Sequence, residues 1–279
     1  MSLAAVADLL ACPHCAAPLT LAGRRLTCPR RHSYDLARQG YVNLLAGPTG
    51  LRADTAEMVA ARDRFLRSGR YAGFADRLAD RVAALIGDGT PDAPAVLESG
   101  AGTGHYLAAV LDRLSATAPA ARGLALDLSV PACRRAARAH PRIGAAVAET
   151  WSGLPVRDGA CAVVLSVFAP RNPAAFARVL APGGVAVVLG AGPDHLAEVR
   201  ERLGLLGIEP DKADRLRTSM EPWFDTGGEE EVTFRLALDR NALADLVAMG
   251  PNAFHGEADR VGEGADVTAS GRIAWFRRR

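Results

Sequence analysis

Lysine is nearly absent from this 279-residue chain: Lys212 stands alone beside 32 arginines. A GC-rich coding genome, which also accounts for the abundant alanine, explains that bias, so arginine richness alone carries no mechanism. Charge of one sign is lacking too. The 33 basic and 31 acidic residues leave +2, which excludes a polycation, an acidic tail and a low-complexity scaffold. No apolar run approaches the roughly 20 residues that span a bilayer, so no membrane association is expected. Met1 to Leu10 include Asp8 and no basic n-region, which argues against a secretory signal and gives a cytoplasmic expectation.

What is present is 49% apolar content, enough for one large domain or a main domain with a small appendage. The positive charge is concentrated: residues 1–90 hold 12 Arg against 8 acidic residues, and the remainder is net −2. Such an excess in a small segment is a footprint for a polyanion, with a plain solvated surface as the equal alternative.

The five cysteines are odd in number, and three fall in the first 28 residues, which is not a disulfide framework. Cys12-Pro13-His14-Cys15 is a CxxC knuckle, and Cys28 to His32 repeats the theme as C-x3-H after a short stretch turning at Gly23. Two close ligand pairs joined by a hairpin suit a closed tetrahedral Zn²⁺ site of Cys12, Cys15, Cys28 and His32. His14 is the competing fourth ligand. A redox CxxC explains neither Cys28 nor His32. With four protein ligands the zinc has no open catalytic position and serves to fold a module ending near residue 46. Cys133 and Cys161 are read as buried free thiols.

Helices are expected from Asp54 to Ser68, with Asp54 and Glu57 in capping-box spacing, and from Tyr71 to Ile86, ended by Gly87. Residues 47–90 thus form a helical linker. From residue 91 to 279 short apolar runs alternate with helical stretches. Strands are expected at 95–97, 123–126, 144–148, 162–167, 185–189, 230–238 and 267–276, and helices at 106–114, 131–139, 174–180 and 241–249. This rhythm argues for an α/β fold with a doubly wound, seven-stranded, mostly parallel sheet.

The first strand of that domain ends in Glu98-Ser99-Gly100-Ala101-Gly102-Thr103-Gly104 and runs into a helix. Glycines there let backbone approach a ligand at the helix N-terminus, and Glu98 can meet an ammonium group. Asp127, at the end of the second strand, is placed to bind ribose hydroxyls. The arrangement resembles class I (Rossmann-like) S-adenosylmethionine-dependent methyltransferases. The departure is Ser99, where an aliphatic residue is usual. The resemblance implies that Glu149, Thr150 and Trp151 reach the adenine, and that His105 and Ser166 complete the cofactor site.

The knuckle, Gln39-Gly-Tyr-Val-Asn-Leu-Leu45, Asp54 to Met58, Phe168-Ala-Pro-Arg-Asn172 and Met249-Gly250-Pro251 together resemble the 23S rRNA guanine-N1 methyltransferase family, nearer its Gram-positive, tylosin-resistance branch. That resemblance implies 23S rRNA as partner, a target guanosine in a domain II hairpin loop near the macrolide site, and a homodimer. Phe168 is the candidate to stack on the flipped base, and Arg171 or Asn172 to contact O6 or a phosphate. The alternative puts Phe168 in the core and Arg171 on the surface. The segment 166–172 supplies no carboxylate to serve as base, and the absence of an N/D-P-P-Y/F motif disfavours adenine N6 methylation. In this reading Arg24, Arg25, Arg30, Arg31 and Arg38 track RNA phosphates. A small-molecule methyltransferase of antibiotic biosynthesis and a non-catalytic RNA-binding protein are the competing readings.

Overall fold

The computed structural model describes residues 2–86, 92–200, 203, 207, 211–250 and 262–279. Gly87, Pro251 and the 90/91 boundary fall outside them. The chain opens with two short 3-10 turns, Ser2–Ala5 and Ala7–Leu9. A three-stranded antiparallel sheet follows: β1 (Thr20–Ala22), β2 (Arg25–Thr27) and β3 (Ser33–Asp35). Gly23 makes the β1–β2 turn at φ +59, a backbone angle that costs glycine nothing.

Beyond β4 (Tyr41–Asn43) lie two helices, α1 (Ala56–Arg67) and α2 (Ala72–Leu85). The start of α1 differs by one residue from the capping-box expectation. The Thr55 side chain accepts from Met58 N at 3.2 Å, while Asp54 is drawn into an ion pair with Arg62 at 2.5 Å.

The main domain then alternates β5 (Ala95–Ser99), α3 (His105–Arg113), β6 (Arg122–Asp127), α4 (Val130–Ala139), β7 (Ile143–Val147), β8 (Cys161–Val167), α5 (Pro173–Val179) and β9 (Leu180–Ala191). It ends with α6 (Ala197–Arg200), α7 (Lys212–Met220), β10 (Phe224–Leu238), α8 (Arg240–Ala248) and β11 (Ala265–Arg278). The sheet order is β10-β11-β9-β8-β5-β6-β7-β4. Pairings from β4 to β9 are parallel, and the β9–β11–β10 edge is antiparallel.

The sheet therefore has eight strands, one more than expected. The extra strand, β4, comes from the N-terminal segment and pairs in parallel with β7, Tyr41 opposite Ala145. Three residues with two neighbouring glycine breaks give too short an apolar run to stand out in the sequence.

Alternating residues of the central strands feed two cores. Val96, Ala125, Leu165 and Val187 face one cluster, covered by Phe65 and Phe74 of α1–α2 and by Leu107, Leu111 and Leu243. Leu97, Leu124, Val164 and Ala186 face the other, covered by α5 and by Leu3, Val6, Leu10, Leu19 and Leu26 of the N-terminal segment. The N-terminal segment thus takes the place of a layer of helix on that face, and α1 and α2 are part of the opposite core. Gly144 shows how close the contact is: a Cβ there would lie 2.2 Å from Val6 Cγ2. Among the described residues no helix is long and apolar enough to cross a membrane.

Candidate active site

The side chains of Cys12, Cys15, Cys28 and His32 converge, their ligand atoms all within 4.8 Å of one another. Cys15 Sγ lies 3.7 Å from Cys28 Sγ, and His32 Nδ1 lies 3.4 Å from both Cys12 Sγ and Cys28 Sγ. Zinc bonds of about 2.3 Å to sulfur and about 2.0–2.1 Å to nitrogen place tetrahedral ligands roughly 3.5–3.8 Å apart. The donor set fits the ion. His14 is exposed and stays outside the cluster. Tyr34 Oη, 3.1 Å from Cys12 Sγ, is a partner that spacing could not show; it can donate to the thiolate and steady it. Cys133 and Cys161 are free and buried, and burial pushes the Cys161 thiol up to about 12.

A cleft of about 810 Å³ opens at the carboxyl ends of the parallel strands, where open α/β sheets bind ligands. One half follows from β5, β6 and β7. Gly100 and Gly102 stand at φ +73 and +54, and a Cβ on Gly100 would lie 2.5 Å from Ala169 Cβ. Gly100 is therefore restricted to glycine for both conformation and space, and Gly102 for conformation. Asp127 Oδ2 accepts from Gly102 N and its Oδ1 from Ser129 N, each at 2.8 Å, so the carboxylate is aimed by two backbone donors. Glu98 is 1% exposed, and its Oε2 accepts from Leu107 N at 3.2 Å. Burial, against the pull of that N–H, raises its carboxyl to about 8.

His105 lines the cleft, and its Nε2 is a buried polar atom without a hydrogen-bond partner among the described residues. That orphaned atom, the glycine loop and the two carboxylates fit a cationic, ribose-bearing cofactor.

Three expected site residues stand elsewhere. Gly104, at φ +77, begins α3 and packs on α4, where a Cβ would lie 3.1 Å from Ala136 Cα. Ser166 is fully buried, and its Oγ donates to Ala169 O at 3.3 Å, fixing the loop after β8. Asn172 caps α5 through Ala175 N, and its Nδ2 donates to Thr150 O at 3.0 Å and Trp151 O at 3.3 Å. It holds the loop that carries Thr150 and Trp151. Ser99, the departure from the usual pattern, shares a 2.9 Å hydrogen bond with Thr150 Oγ1 and ties two strand ends together. Glu149, Thr150 and an exposed Trp151 line the cleft.

The other half follows β8 and β9. Phe168 sits at φ +49, a strained angle for an aromatic residue, held by its N–H donating to Leu189 O at 2.8 Å. It is 41% exposed in the cleft wall, neither core nor free surface. Its ring meets Phe74 edge-on at 5.6 Å and lies near-parallel to His195 at 5.9 Å. Arg171 is drawn into the cleft, where burial lowers its pKa. Tyr71, His195 and Lys212 also line this half and were missed by sequence reasoning. Only the solitary lysine carried a signal. Arg24, Arg25, Arg30, Arg31 and Arg38 are all exposed, with Arg25 paired to Asp35 at 2.7 Å.

A doubly wound sheet with a glycine loop, an aimed aspartate on the next strand and a four-ligand N-terminal centre defines a class I methyltransferase fold bearing a zinc ribbon. The RlmA N-terminal zinc-ribbon family model matches residues 10–47. The 23S rRNA (guanine(748)-N(1))-methyltransferase of Streptomyces fradiae is 50% identical over 92% of this chain and 89% of its own length. A Micromonospora griseorubida protein assigned to the 23S rRNA guanine-N1 methyltransferases is 46% identical over 96% of this chain and 97% of its own. Among solved structures, the YcgJ protein of Bacillus subtilis superposes with a TM-score of 0.51 at 11% identity, over 73% of this chain and 98% of that one, a likeness of fold alone. The chain belongs to the 23S rRNA guanine-N1 methyltransferase family.

Proposed function

We propose that this protein transfers a methyl group from S-adenosylmethionine to N1 of a guanosine in a domain II hairpin loop of 23S rRNA, the counterpart of guanine 748 for which its Streptomyces relative is named. The observation that carries this reading is the 50% identity across nearly the whole chain. Protection of the host against tylosin-type macrolides follows from the same reading, as does action in the cytoplasm.

The cofactor, when bound, supplies an electrophilic sulfonium methyl. All five of Glu98, Asp127, Glu149, Thr150 and Trp151 line the cleft; in this reading Glu98 meets the ammonium group, Asp127 the ribose, and Glu149, Thr150 and Trp151 the adenine. Phe168 offers an exposed aromatic face to a base that has left its stack, and Arg171 offers a cation. Guanine N1 carries a proton and is a weak nucleophile, so alignment and charge stabilisation are the protein's tasks. Residues 1–46 act in this reading as the zinc-stabilised module that holds the RNA.

The test is methyl transfer from labelled S-adenosylmethionine to 23S rRNA of a strain lacking the gene, mapped by primer extension. N1 methylation blocks Watson–Crick pairing, so the expected result is a new stop at a domain II loop guanosine. Label without that stop moves the reaction to another atom, and no label favours a small-molecule substrate.

A further inference from the structure

The acceptor half of the cleft contains a hydrogen-bonded pair that the cofactor has no need of. Ser270 N–H donates to His195 Nδ1 at 3.2 Å. Nδ1 therefore presents its lone pair inward, and a neutral imidazole must carry its proton on Nε2. Burial, aided by the cations Arg200 and Lys212, pushes His195 down to about 4, so neutral is its state at pH 7. Nε2 lies 3.2 Å from Tyr71 Oη, and with this tautomer the imidazole donates and the phenol accepts.

Tyr71 is then left with its own O–H to give. Its ring is fixed edge-on against Phe65 at 4.9 Å and Phe74 at 5.0 Å, and no second hydrogen bond of its side chain occurs among the described residues. Burial raises its pKa, so it serves as a neutral donor and not as a base. The acidic residues that line the cleft are Glu98, Asp127 and Glu149, at the ends of β5, β6 and β7, and Asp54, which is paired with Arg62. His195, to which Tyr71 is bonded, lies in the field of the cations Arg200 and Lys212, and Lys212 in that of Arg171. This environment suits an acceptor oxygen that gains negative charge.

We propose that Tyr71, aimed by His195, donates a hydrogen bond to O6 of the target guanine, making Tyr71 a catalytic residue and His195 a positioning residue. The inference rests on the guanine-N1 reading above. As N1 bonds to the methyl carbon, the carbon–sulfur bond breaks and its electron pair stays on sulfur. The N1 proton passes to water. The charge that the departing proton leaves on N1 is shared with O6, where a preorganised donor stabilises it most.

The experiment uses the full chain and an RNA hairpin carrying the target guanosine. Tyr71→Phe keeps the ring and its packing. It is expected to lower kcat on the order of a hundredfold, the effect of removing one such donor, while KM for RNA stays within about twofold. His195→Ala is expected to cost on the order of tenfold in kcat, and His195→Gln, which can still accept from Ser270 and donate to Tyr71, to recover most of it. A merely structural role would not move the last readout: replacing O6 of the target base by sulfur, a poorer acceptor, slows the parent enzyme but leaves Tyr71→Phe unchanged. A parent that gives no stop at the guanosine overturns the reaction assignment. A parent that methylates it, with a Tyr71→Phe variant matching it within about threefold or showing the same sulfur effect, overturns only the role of Tyr71.

Discussion

The two halves of the cleft are built on opposite plans. The cofactor half takes anions and glycines from three successive strand ends, β5, β6 and β7, and Asp127 is held by backbone N–H groups of the same loops. The acceptor half takes aromatic rings and cations from Tyr71, Phe168, Arg171, His195 and Lys212, positions spread over 141 residues of chain between Tyr71 and Lys212. A cationic cofactor and a base that becomes electron-rich need those opposite fields. On the reading proposed above, the separation would set negative charge where a sulfonium arrives and positive charge where the guanine loses its proton.

The largest effect expected from breaking this division is at Asp127. Asp127→Ala removes a doubly anchored carboxylate whose proposed hydrogen bonds to two ribose hydroxyls would be worth about 1.5–3 kcal/mol each, so cofactor Kd should rise at least about a hundredfold by calorimetry. RNA affinity should not change, and a matching loss of RNA binding would show that the halves are not independent. The mirror experiment is Phe168→Ala. Loss of base stacking, about 1–3 kcal/mol, should cut kcat/KM for RNA by roughly ten- to a hundredfold with cofactor Kd preserved.

Acidity supplies a subtler test. Glu98 titrates near 8 because burial penalises its charged form, so below that pH a cationic ligand must first have the proton removed. Cofactor binding should therefore tighten by up to about tenfold per pH unit as pH rises toward 8, then level off, with proton release below 8. The same shift makes Glu98 stabilise the cofactor-free fold at low pH, a contribution lost as pH rises from the ordinary carboxylate range through about 8. Glu98→Gln should flatten both profiles. A pH-independent Kd in the parent would remove Glu98 from contact with the ammonium group.

The cofactor half was legible in the sequence because its chemistry is contiguous. Glu98 to Gly104 is one strand-to-helix turn, and Asp127 is one strand further on. Even there the roles of individual residues blurred, since Gly104 and Ser166 follow the pattern but serve packing and loop geometry. The zinc cluster was legible for the same reason, its ligands forming two short pairs. The acceptor half was not. No spacing rule links Tyr71 to His195, because their 3.2 Å contact exists only after α2 and the end of β9 pack together. The eighth strand was hidden likewise, its three residues gaining meaning only from a partner, β7, about a hundred residues away.

The smallest expected effect concerns the N-terminal module, whose surface carries the charge that the cleft divides. Arg30 and Arg31 are exposed next to the zinc ligand Cys28, whereas Arg25 is already committed to Asp35. Replacing Arg30 and Arg31 together by Ala should weaken RNA binding a few-fold, and flatten its dependence on salt by about one counterion per lost phosphate contact. Arg25→Ala should do less, because its charge is already offset. Cofactor Kd should stay constant in both. Filter binding across a salt series reads all of this. An unchanged RNA affinity would leave the module a structural task only, that of covering the sheet with Leu10, Leu19 and Leu26. The RNA would then have to be held by the cleft rim, where Trp151 and Leu51 are exposed.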